Sequence, residues 1–109
     1  MRAASMSAIS LYSTWPDRES AETGARALIE RRLIACANIL LSAVSIYRWE
    51  GDLVSESEVV MFAKTSSARA EEACAALAAL HPYETPCVVA LEISPDLSHA
   101  PYLAWNSSE

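Results

Sequence analysis

The chain has 109 residues, a formal net charge of -6 and 52% hydrophobic residues. That length holds one domain with one core, so the apolar fraction implies either a dense core or apolar surface hidden by self-association, and the strand pattern favours the second. The acidic balance, with Lys and Arg scattered apart from the adjacent Arg31 and Arg32, argues against nucleic acid as a partner and against a basic amphipathic membrane helix.

Residues 1–7 are expected to be disordered ahead of a single domain that fills the rest of residues 1–109. Residues 8–14 (AISLYST) read as a short strand in which Ile9 and Leu11 alternate with Ser10 and Tyr12. A helix is predicted from Thr14 to about Leu33. Thr14 supplies the cap, Pro16 falls where its missing N–H costs little, and Asp17 and Glu19 sit at the positive helix end. Ala21, Ala25, Leu28 and Ile29 share one face of it, and Gly24 inside it is a mild local cost.

Residues 37–49 carry apolar side chains on both alternation faces. Ile39, Leu41, Ala43, Tyr47 and Trp49 share one parity; Leu40, Val44 and Ile46 share the other. Glu50-Gly51-Asp52 supplies a turn, and residues 53–65 return with Val54, Val60 and Phe62 opposed to Leu53, Val59 and Met61. This is one long β-hairpin, too apolar on both faces for a small sheet covered on one side. Helices cover one face, and another subunit is expected over part of the other.

Ser66 and Ser67 offer a cap for an Ala-rich helix over residues 68–80, which His81-Pro82 ends because the residue before proline is pushed out of the helical region. Residues 87–93 (CVVALEI) read as a strand apolar enough to be internal. A last short helix starts at Asp96 or Ser98 and ends near Trp105. The order is strand, helix, strand, strand, helix, strand, helix. It predicts an α+β, ferredoxin-like split βαβ sandwich with a long β-hairpin and a C-terminal helix.

Three cysteines, Cys36, Cys74 and Cys87, make an odd and widely spaced set, a poor disulfide framework. The first ten residues have no signal-peptide core, and no stretch approaches the ~20 apolar residues of a membrane span. A cytoplasmic protein with reduced thiols and no membrane partner is the simplest expectation. Cys36, His81, Glu84 and Cys87 are ligand-competent for copper or another divalent cation, although no C-x-x-C or H-x-x-x-H spacing ties them together. Plainer readings stand beside these. Cys36 suits a buried inert thiol, His81 a helix end, Glu84 a turn or ion pair, and Cys74 simple packing. Tyr47, Trp49, Tyr102 and Trp105 suit a subunit interface or the core. No Ser-His-Asp order, phosphate-cradling glycine loop or paired-carboxylate motif is found, so catalysis is not expected.

Five segments, in order, resemble the CutA divalent-ion-tolerance family. ALIERRLIACANI at residues 27–39 resembles its helix-to-strand segment, and Tyr47-Arg48-Trp49-Glu50-Gly51 its hairpin turn. Glu58, Met61, Lys64 and Thr65 resemble its return strand, His81-Pro82-Tyr83-Glu84-Thr85-Pro86 its H-P-Y-E-x-P signature, and Tyr102-Leu103-Ala104-Trp105 its terminal Y-L-x-W. Ile34 stands where the family pattern often has Ala. Cys87 stands where it has Glu, which exchanges a carboxylate for a thiol able to bind soft metals. The resemblance implies a homotrimer of ferredoxin-like subunits, similar in architecture to the nitrogen-regulatory PII trimers. It also implies a role in tolerance of divalent cations, copper especially, by binding metal ions. A second function from another class is a PII-like signalling or scaffold trimer. It would take small ligands or partner proteins in clefts between subunits lined by Lys64 and residues 81–84.

Overall fold

The computed structural model describes residues 7–109, so the disorder expected for residues 1–6 lies outside the described residues. Ser7 accepts a backbone hydrogen bond from Ser67 N (3.2 Å). The elements are β1 (Ala8–Trp15), α1 (Arg18–Glu30), β2 (Cys36–Trp49), β3 (Asp52–Ser66), α2 (Ser67–Leu80), β4 (Val88–Ile93) and α3 (Ala100–Ser108). The strands form one sheet in the order β2-β3-β1-β4, with every neighbouring pair antiparallel. This is the expected ferredoxin-like arrangement: β3 lies between the two strands that α1 connects. On one face, α1 and α2 bury Leu11, Trp15, Leu28, Met61 and Leu77.

α1 starts later than the sequence suggests. Thr14 is still strand, paired with Val60, and Asp17 is the cap, its Oδ1 accepting from Ser20 N at 2.8 Å. The helix also stops at Glu30 and not near Leu33. Arg32 turns left-handed (φ 57), Arg32 N donates to Ile29 O and Leu33 N to Leu28 O, both at 3.0 Å. These are the paired bonds of a Schellman stop, with Arg where glycine usually signals it. Gly24 is more than a local cost: a Cβ there would lie 2.8 Å from Trp15 Cη2, so the bare backbone lets α1 seat against the buried indole.

The hairpin closes through Glu50 (φ 50) and Gly51 (φ 90), between the paired Trp49 and Asp52. Two positive φ values give the primed turn that matches strand twist. The pairing slips between Leu40 (opposite Val60) and Ala43 (opposite Glu58), so β2 spends one extra residue against Val59. That bulge splits the single parity read from sequence. Ile39 packs on the core, whereas Tyr47 and Trp49, beyond the bulge, stand on the opposite face with Glu56 and Glu58. The hairpin reaches past the helices, leaving Val44, Ile46, Trp49 and Leu53 exposed.

β4 begins at Val88 and is an edge strand, not internal. Among the described strands it pairs with β1, and Val89 and Leu91 stay about half exposed. Its apolar sequence reports surface that one chain leaves open. Ser66 caps α2 by position, but its hydroxyl accepts from Arg69 Nε (2.9 Å). α3 starts at Ala100, after a turn in which Leu97 N donates to Ser94 Oγ (3.3 Å) and the Ser98 hydroxyl to Ser94 O. It is fixed to the sheet by buried Asn106, whose Nδ2 donates to Thr65 O (3.0 Å).

Candidate functional site

The helix-breaking His81-Pro82 step sends the His81 ring inward. Tyr83 N donates to its Nδ1 (3.1 Å), so Nε2 carries the proton and donates to the Thr14 carbonyl (2.7 Å). The ring lies against Trp15 and Tyr83, with centroids 4.2 and 4.8 Å away. His81 is buried and both nitrogens are engaged, so it anchors the loop and presents no lone pair to a metal.

From that anchor Tyr83 reaches the hairpin, its hydroxyl donating to Glu58 Oε2 (3.0 Å). Burial, then this bond, pushes the Tyr83 phenol up to about 12. Tyr47 makes the parallel contact, donating to Glu56 Oε1, and that bond is the main cause raising its phenol. A cleft of about 780 Å³ opens between the distal hairpin and residues 83–87, with Tyr47, Trp49, Glu56, Glu58, Glu84 and Cys87 on its walls. Among the described residues no Lys or Arg lines it. Three carboxylates and a thiol attract cations and offer both hard and soft donors. No group of three or more His, Cys, Asp or Glu among the described residues is set to hold a metal ion within one chain.

A second polar cluster sits further along the strands. In the β1–β3 register Lys64 faces Ser10 and Val60 faces Thr14. Along β3 Lys64 is six residues from Glu58, about 20 Å at ~3.4 Å per residue. Here Cys36 pairs with Lys64, and its Sγ lies 3.0 Å from Tyr102 Oη and 3.8 Å from Lys64 Nζ. Lys64 also donates to Asn38 Oδ1 and stands 5.9 Å from the Tyr102 ring centroid. Burial, then the bond to Cys36, pushes the Tyr102 phenol up to about 12, so its hydroxyl keeps its proton beside the sulfur.

A family model described as CutA1 divalent ion tolerance protein matches residues 9–109. The chain belongs to the CutA divalent-cation tolerance family. It is similar to the divalent-cation tolerance protein CutA of Thermus thermophilus, 41% identical over 92 residues that are 84% of this chain and 87% of that protein. It is also similar to Protein CutA of Homo sapiens, 37% identical over 94 residues; these are 86% of this chain but 51% of that protein, so the chain spans about half the length of this relative. Among solved structures, CutA from Xylella fastidiosa superposes with a TM-score of 0.88 at 37% identity, covering 93% of this chain and 95% of that one. The family model and the Thermus thermophilus relative are both described as divalent-cation tolerance proteins. No helix among the described residues is long and apolar enough to cross a membrane.

Against this CutA fold the four sequence-predicted residues separate. Glu84 and Cys87 line the cleft, His81 is buried behind it, and Cys36 lies at the far cluster. Lys64 is with Cys36, so within one chain it does not line the cleft beside residues 81–84. Sequence reasoning did not single out Glu56 or gave Glu58 only a motif role. In the structure Glu58, a charged residue beside the core residue Val59, is buried to nine-tenths and needs a partner.

Proposed function

We propose that this chain works as a cytoplasmic homotrimeric CutA protein in divalent-cation tolerance, copper in particular, by binding metal ions at the acidic cleft. The observation that carries the reading is the gathering of Glu56, Glu58, Glu84 and Cys87 around one opening with no cationic side chain among them. His81 contributes by holding Tyr83 and Glu84 in place. One chain supplies donors but no closed cage, so water or a second subunit completes the coordination.

Assembly is supported by the surface that a single chain leaves open. Val44, Ile46, Trp49 and Leu53 are 68%, 67%, 60% and 73% exposed, and among the described strands β4 leaves one edge unpaired. Each such side chain is worth about 1.5–3 kcal/mol when fully buried. Light scattering tests the stoichiometry, with three chain masses expected; a monomer at micromolar concentration overturns it. Calorimetry with Cu(II), and with Cu(I) under reductant, tests the metal. Saturable binding is expected, weakened roughly tenfold by Glu84→Gln or Cys87→Ser, the usual scale for losing one contributor to a site. Absence of saturable binding overturns direct metal binding.

The cleft's volume of about 780 Å³ favours a second reading, because it exceeds what one ion needs and matches a small-molecule site. In that reading the trimer is a PII-like scaffold or signalling protein that takes small ligands or partner proteins. A thermal-shift panel of nucleotides and metabolites separates the two, and a flat response across the panel removes the second.

A further inference from the structure

All three cysteines are free; Cys87 is exposed, while Cys36 and Cys74 are half-buried. If access alone set reactivity, Cys87 would react first with every reagent. The surroundings of Cys36 and Cys87 are opposite in charge, however. Cys87 shares its cleft with Glu56, Glu58 and Glu84. Cys36 faces an ammonium and a phenol hydroxyl brought from β3 and α3.

A separate observation points to a ligand. Lys64 is half-buried, and among the described residues no carboxylate forms an ion pair with it, in a chain whose net charge is -6. Its bonds go to neutral partners, the Asn38 amide and the Cys36 sulfur. A cation held without a counter-ion is a place for an anion, and this one adjoins a nucleophile.

We propose that Cys36 is a thiol–disulfide exchange site selective for anionic low-molecular-weight disulfides. The disulfide's carboxylate meets Lys64 while its S–S bond meets Cys36. The Cys36 thiol gives its proton to solvent, and the thiolate attacks one disulfide sulfur. A new S–S bond joins Cys36 to that half. The old S–S bond breaks, its electron pair leaving on the other half as thiolate, so Cys36 is oxidised and the departing thiol is reduced. Lys64 and Tyr102 face the charge on sulfur during attack.

The test treats the full chain, freed of metal by chelation, with oxidised glutathione (anionic) or cystamine (cationic), and follows each cysteine by peptide mass spectrometry. Glutathione is expected to mark Cys36 ahead of Cys87 and Cys74, and cystamine to mark Cys87 first. Lys64→Gln is expected to slow glutathionylation of Cys36 roughly tenfold, the scale of losing one neighbouring charge. Should that variant fail to fold, wild-type salt dependence serves instead. Added salt is expected to slow glutathione at Cys36 and not cystamine. Glutathione marking Cys87 or Cys74 first overturns the proposal. So does a Cys36 rate indifferent to both salt and Lys64→Gln. Because metal is absent throughout, neither outcome bears on copper binding at the cleft.

Discussion

The two polar clusters of the sheet use the same device for opposite charges. At the cleft, Tyr83 and Tyr47 donate their hydroxyls to Glu58 and Glu56, and no cation enters. At the far cluster, the Tyr102 hydroxyl and the Cys36 thiol share a hydrogen bond beside Lys64, and among the described residues no carboxylate pairs with that ammonium. Positive and negative groups that would cancel as ion pairs are instead kept about 20 Å apart along β3, Lys64 being six residues from Glu58. Buried ion pairs contribute little net stability because desolvation offsets attraction. Charges left unpaired but hydrogen-bonded to neutral groups, phenols for the carboxylates and an amide and a thiol for Lys64, remain available to a ligand, and that availability is what the separation preserves.

Three substitutions test this contrast. His81→Ala has the largest expected effect, about 3 kcal/mol, since it removes a buried ring and leaves the Thr14 carbonyl and Tyr83 N–H without partners. Chemical denaturation should show that loss, while Tyr102 should still titrate near its wild-type position because the far cluster is untouched. The contrast fails if both clusters loosen together. Tyr83→Phe should cost about 1–2 kcal/mol by leaving the nearly buried Glu58 without its donor. Tyr102→Phe should cost only about 0.5 kcal/mol, because a thiol is both a weak donor and a weak acceptor. Equal costs in the same denaturation series would mean that the two hydroxyls are equivalent.

A further effect is alkaline. Tyr83 and Tyr102 are each pushed up to about 12 from an ordinary 10.0. A folded chain that keeps protons the unfolded chain releases has this contribution in full below about pH 10 and loses it as pH rises through about 12. Unfolding midpoints should fall across that window, and each Tyr→Phe variant should flatten the slope. A wild-type slope unchanged by either variant assigns the alkaline loss to other groups.

Much of the fold was legible because periodicity and breakers were strong: the Ala-rich α2, the Pro82 stop and the Glu50-Gly51 turn all state their structure locally. The misread boundaries share one cause. Thr14 and Asp17 are both good caps, and only the length of β1, fixed by pairing with β3, decides between them. Arg32 carries no local sign that it will take φ 57. β4 looked internal because its apolar residues do not say which strand, or which subunit, covers them. The candidate site was legible in part. Glu84 and Cys87 were singled out as ligand-competent types, Cys87 as the start of a strand that in fact begins at Val88, but Glu56 and Glu58 enter the cleft only through a register that no local pattern announces. The separation of Cys36 from His81 is likewise a product of pairing across the sheet.

The bulge between Leu40 and Ala43 also has a bearing on length. It holds one residue of β2 that faces no partner of its own across the ladder. In a regular hairpin, losing a residue from one strand forces either the turn to move or a whole arm to invert. Here the chain has slack. Deletion of Ser42 would draw out the bulge and leave every pair from Ala43 to the turn as it is. Tyr47 would still meet Glu56, and the cleft wall would survive a shortening that an unbulged hairpin could not absorb.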